Sequence, residues 1–141
     1  MNCGKYVRQT DQGADPYVIN IEQMAVRNPN FRTAIWTGCY MQMTLMCIPL
    51  CGKIGLEVHQ DTDQLIIVEQ GKAEVMIGKC KEKQDFQKFM CKGDAVFIPA
   101  GSWHNIINVG RIPLKLASVY APPHHPWGTV HSTKAEAERE H

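Results

Sequence analysis

The chain of 141 residues is one domain's worth of sequence, and its 44% hydrophobic and 21% charged residues exclude a disordered or low-complexity polypeptide. Lys plus Arg number 15 against 14 Asp plus Glu, a formal net charge of +1, so no basic excess points to nucleic acid or to an anionic membrane surface. No apolar run approaches the ~18 residues of a membrane span.

The longest apolar run near the N-terminus, Met41–Pro49, is interrupted by Gln42 and Thr44, and the leading segment MNCGKYVRQTDQGADPYVIN lacks the apolar middle of a signal peptide. A cytoplasmic location is the expectation. The six cysteines fall at 3, 39, 47, 51, 80 and 91, and none forms C-x-x-C, so neither a zinc knuckle nor a redox dithiol is indicated. Reduced cysteines, most of them small buried apolar side chains, are expected. Cys80 and Cys91 flank a charged loop and could face each other across a hairpin, although a reducing compartment disfavours the bond.

In chain order, residues 1–16 are polar and read as a loose arm. Asn20 then offers a helix cap, with Gln23 three residues on, and Asn28-Pro29 closes that helix. The segment 1–30 is therefore an arm with a short helix. Beyond it come short β-type runs: 31–36, 41–48, 56–59, 65–69, 73–77, 86–90, 95–98, 103–108 and 114–120. Turn residues separate them, among them Gly38, Pro49, Gly71, Gly78, Gly93-Asp94, Pro99–Gly101 and Pro113. No helical crossover lies between the runs, so a parallel α/β sheet is not expected. The pattern predicts an all-β barrel or sandwich over 31–120. The loop KCKEKQD (79–85) reads as a solvated hairpin tip. Residues 121–141 form a polar tail: APPHHPW is extended, and Thr133–Glu136 is a capping box that starts a short helix over 135–140.

Two stretches carry chemistry. In a strand, residues i and i+2 share a face, so Glu57 and His59 point one way and Leu56 and Val58 the other. After the Asp61–Asp63 turn, an antiparallel return would bring Gln64 beside His59, with Ile66 and Val68 on its side. In the second stretch, Gly93-Asp94 turns into a strand, Pro99-Ala100-Gly101 turns out of it, and His104 opens the next strand with Ile106 on its face. One carboxylate, one amide oxygen and two imidazoles are a donor set for a divalent transition metal.

The second stretch resembles the cupin superfamily, whose motif G-x5-P-x-G-x2-H-x3-N is met by Gly93, Pro99, Gly101, His104 and Asn108. The first cupin motif, G-x5-H-x-H-x3/4-E-x6-G, is met by His59 and Gly71. Glu57 stands at its first His and Gln64 at its Glu, and Gly52 lies one residue closer than the pattern asks. The resemblance implies a jelly-roll barrel holding one divalent metal (Mn, Fe, Ni, Co or Zn) at Glu57, His59, Gln64 and His104. The carboxylate has changed corner, while the formal charge of the ligand set is that of three imidazoles and one carboxylate.

Trp103, Tyr120 and His131 are candidates for the substrate pocket: Trp103 as a rim residue, Tyr120 at a strand end, and His131 as one of three tail histidines. His124 and His125 are the other two, read as surface residues unless one folds over the barrel mouth as acid or base. The resemblance implies a metal-dependent enzyme on a sugar, sugar phosphate or related small acid, of isomerase or epimerase type. A metal-dependent dioxygenase and a binder without chemistry are the rivals. The partners expected are a small molecule and a second copy of the chain, paired through an exposed N-terminal strand, with no nucleic acid and no membrane.

Overall fold

A computed structural model describes residues 11–139. Residues 1–10 of the expected arm, with Cys3, and Glu140 of the expected tail helix lie outside the described residues. Helix α1 (Ile21–Arg27) starts where the cap signal places it: the Asn20 Oδ1 accepts from the Gln23 amide at 2.9 Å.

Ten strands follow: β1 (Arg32–Thr37), β2 (Gln42–Ile48), β3 (Glu57–Val58), β4 (Asp63–Gln70), β5 (Ala73–Gly78), β6 (Phe86–Met90), β7 (Ala95–Ile98), β8 (Trp103–Asn108), β9 (Leu114–Ala121) and β10 (Val130–His131). Helix α2 (Lys134–Arg139) closes the described chain. The strands form two antiparallel sheets, ordered β10-β1-β2-β9-β4-β7 and β3-β8-β5-β6. Among the described residues no helix is long and apolar enough to cross a membrane.

Alternation decides what lies between the sheets. Strand β4 buries Gln64, Ile66 and Val68, and β8 buries His104, Ile106 and Asn108, each at a period of two. Met46, Ile48, Ile66, Val68, Leu114 and Leu116 of the first sheet meet Val75, Met90 and Ile106 of the second in one apolar cluster. Each such side chain contributes ~1.5–3 kcal/mol on burial. A smaller cluster of Ala25, Ile35, Leu45 and Ala117 fixes α1 to the outer face of the first sheet. The interior is therefore apolar at one end. At the other, Glu57, His59, Gln64 and His104 interrupt it.

The motif residues outside this polar end are structural. Gly101 sits at φ +83°, a left-handed conformation that costs glycine nothing, and its amide donates to the His59 carbonyl at 2.8 Å. The Asn108 amide donates to the carbonyls of Ile48, Pro49 and Ile112, gathering three segments at the far end of β8.

Four local expectations need correcting. First, β3 and β4 do not pair: β3 pairs with β8, and β4 with β7 and β9. The Asp61–Asp63 turn crosses between sheets, so Gln64 faces His59 across the barrel. Likewise the 99–101 turn carries the chain from β7 in one sheet to β8 in the other. Second, the described cysteines are reduced as expected but not buried: Cys39, Cys51, Cys80 and Cys91 are free and exposed, and Cys47 is only partly buried. Cys80 bridges to Lys83 at the hairpin tip, while Met90 pairs with Ala73 at its base, so the Cys80 and Cys91 thiols flank opposite ends of the ribbon. Third, the tail is not merely extended, because Val130 and His131 pair with Thr33 and Arg32. Fourth, that pairing covers the edge of β1, so the N-terminal strand is not the open edge expected for pairing with a second copy.

Candidate metal centre

Glu57 on β3 and His104 on β8 are cross-strand partners, and His59 follows β3 immediately. Glu57 Oε2 stands 3.5 Å from His59 Nε2 and 3.6 Å from His104 Nε2. One ligand atom from each of these residues lies within 4.8 Å of the others. Gln64 enters from the interior face of the opposite sheet. Its Nε2 donates to Ser118 Oγ at 2.8 Å, which leaves Oε1 unpartnered. The His104 Nδ1 faces the Ser102 carbonyl at 3.0 Å. A carbonyl only accepts, so Nδ1 carries the proton and the lone pair sits on Nε2.

Two explanations compete for this group, and the hydrogen-bond partners its buried atoms lack choose between them. A hydrogen-bonded Glu–His cluster needs donor–acceptor separations of about 2.7–3.2 Å. The separations of 3.5 and 3.6 Å exceed that, and His59 Nε2, His104 Nε2 and Gln64 Oε1 are all buried without a hydrogen-bond partner. Burying such atoms unpaired costs about 1–3 kcal/mol each. Donors that each sit about 2.1 Å from one ion, at angles of 90–110°, stand about 3.0–3.4 Å apart. The residues present thus fit a divalent cation. Burial raises the Glu57 pKa, but its contacts with the His104 and His59 side chains outweigh it. The carboxyl is held well below its ordinary range and stays ionised.

The remaining candidates sit as follows. Tyr120 is fully buried, with its ring edge-on to His59 at 5.9 Å between centroids. Burial pushes its phenol up; the Arg32 charge opposes this, and the Glu57 charge adds a lesser push upward. Trp103 is not beside the metal group: the period of β8 puts it on the face opposite His104, where Lys81 Nζ lies 5.8 Å from its ring. His131 is buried, and its Nδ1 lies 3.3 Å from Arg32 Nη1. A guanidinium only donates, so that nitrogen accepts.

The tail histidines are where sequence reasoning placed least weight. His124 and His125 fold over the group, with the His124 ring 4.1 Å from that of His59 and the His125 ring 5.1 Å from that of Tyr120. Gln42 holds them there. Its Oε1 accepts from the amides of both, and its Nε2 donates to the His125 carbonyl and to Thr37 Oγ1. Burial first, then the Arg32 charge, lower the His125 pKa from 6.5 to about 2. The signals for these roles were thin: Gln42 is a polar residue at an inward position of an apolar strand, and Ser118 interrupts the inward row of β9.

A two-sheet antiparallel barrel with an inward His, Glu and Gln group at one end is the architecture of a small jelly roll with a group that could hold a metal. The chain matches the family described as "Cupin domain" over residues 44–120, and it belongs to that family. Over 127 residues it is 50% identical to the uncharacterized protein YrkC of Bacillus subtilis, covering 90% of this chain and 68% of that one. It is 37% identical to an uncharacterized protein of Acanthamoeba polyphaga mimivirus, covering 81% and 70%. Among solved structures, BH2720 from Bacillus halodurans is 49% identical, with a TM-score of 0.91 over 92% of this chain and 98% of that one.

Proposed function

We propose that this chain is a metal-dependent enzyme that isomerises a sugar, sugar phosphate or related small acid, with the cation held by Glu57, His59, Gln64 and His104. The observation that carries this reading is the set of buried, unpartnered atoms His59 Nε2, His104 Nε2 and Gln64 Oε1 around the Glu57 carboxylate. A divalent ion there supplies Lewis acidity, which polarises a carbonyl oxygen and acidifies the carbon beside it. The chain's own residues do the rest. Ser118 and the Ser102 carbonyl aim two of the four donors. Ionised Glu57 is a ligand and a poor base, because its affinity for a proton is depressed. His124, tilted over His59 at the mouth, is the group placed to take a proton from a bound substrate and return it. The Gln42-anchored segment limits the access of bulk water from that side.

The test is elemental analysis of purified protein beside the His59→Ala, His104→Ala double variant. The wild type is expected to carry about one divalent transition metal per chain and the double variant to lose it. Equal metal content in both overturns the reading. Turnover that stops under argon selects the dioxygenase rival.

A further inference from the structure

Five buried side-chain atoms lack a hydrogen-bond partner among the described residues: the three metal-facing atoms, Arg32 Nε and Thr44 Oγ1. A cation accounts for the first three and leaves Arg32 Nε and the Thr44 hydroxyl, which faces the Tyr120 phenol without a well-formed bond. Arg32 is 4% exposed and Thr44 is fully buried. Their positions are related. Arg32 pairs with Met46 and Thr44 with Ala34, so the two are diagonal neighbours on the interior face of β1 and β2. Thr44 pairs in turn with Ser118, the residue that holds Gln64. A polar track, Arg32–Thr44–Ser118–Gln64, thus runs across the inner face of the first sheet to the metal group.

Among the described residues the guanidinium has the His131 ring as its polar partner, and its carbon lies 5.2 Å from the Phe31 ring centroid. Among the described residues no carboxylate forms an ion pair with it. Burying an uncompensated guanidinium is costly, and natural chains pair such a charge or use it. Its field reaches the Tyr120 phenol and the His125 ring, both at the metal end. A divalent ion with a single carboxylate ligand keeps one net positive charge, and Arg32 adds a second. Two positive charges on the interior side of one barrel favour an anion over a neutral ligand.

We propose that Arg32 and Thr44 form the second half of the ligand site, and that the ligand is a small organic acid whose carboxylate sits on the Arg32 guanidinium while its other oxygens face the metal group. This narrows the substrate class of the enzyme reading above and rests on it. The planar guanidinium matches a carboxylate edge-on, and Thr44 adds a hydroxyl donor.

Malonate is the probe, titrated calorimetrically into metal-loaded wild type, Arg32→Met, Arg32→Lys and the His59→Ala, His104→Ala double variant. Xylitol is the neutral control and inorganic phosphate the competing anion. The expected result is a loss of malonate affinity of about tenfold or more in Arg32→Met. Arg32→Lys should lose less, and xylitol should not bind measurably. Arg32→Met is also expected to melt higher than wild type without ligand, since it removes a lone buried charge. A lower melting temperature with unchanged malonate affinity makes Arg32 a strut and overturns the proposal. So does phosphate binding without malonate binding, or equal affinity in wild type and Arg32→Met. Failure of the metal reading looks different: wild type and double variant then hold equal metal, whatever Arg32→Met does to malonate.

Discussion

The second contacts around the candidate ligands decide how tightly an ion is held. Gln64 is a neutral donor where the cupin motif carries a carboxylate, so its oxygen must be aimed by something else. Ser118 does this through the 2.8 Å bond to the amide nitrogen. Without that bond the amide can rotate and present its NH2 group to the cation. Ser118→Ala is therefore expected to lower metal affinity by about tenfold or more with the fold intact, read by chelator competition. Unchanged affinity would remove Gln64 from the ligand set. The identities of these residues were legible in the sequence, because strand periodicity puts Glu57 and His59 on one face and Gln64 with Ile66 and Val68 on another. Arg32 was not singled out. One charged residue in a run of apolar and β-branched neighbours has no signature until its strand is seen to face inward.

At the scale of elements, the strand runs were legible because turn residues punctuate them so regularly. Phe86–Met90, Ala95–Ile98 and Trp103–Asn108 have the bounds that the punctuation gives. Pairing was not legible. The sequence shows that β3, a turn and β4 follow one another, and a hairpin is the local solution. The barrel instead sends them to opposite sheets, where Glu57 finds His104 and Gln64 finds Ser118. The same nonlocality hid the tail. Proline-rich sequence reads as surface, yet Gln42, far away in the chain, anchors His124 and His125 over the mouth.

That lid gives the fold a pH dependence with a definite sign. The His125 pKa is lowered from 6.5 to about 2, so below 6.5 the unfolded chain takes a proton that the folded ring refuses. Its stabilisation is whole above pH 6.5 and is lost as pH falls towards about 2. Glu57 also has a lowered value, but its contribution is lost only below its ordinary 4.5. The melting temperature of metal-free protein is thus expected to fall between pH 6.5 and pH 5, and to fall less in His125→Phe. Parallel curves for the two proteins would mean that the ring is not held neutral under the lid.

For the molecule as a whole, one division organises the account. The far end of the barrel is filled with aliphatic side chains from both sheets, and the near end holds the unpartnered His59, Gln64 and His104 atoms. Those three atoms, His59 Nε2, His104 Nε2 and Gln64 Oε1, surround the Glu57 carboxylate, where one cation would satisfy them together. Crystals grown with zinc or manganese, measured at that metal's absorption edge, test this most directly. The account predicts one anomalous peak inside the barrel, about 2.0–2.2 Å from Glu57 Oε2, His59 Nε2, His104 Nε2 and Gln64 Oε1. A metal-saturated crystal with no peak between these atoms, or with the ion bound at the exposed cysteines instead, would contradict it.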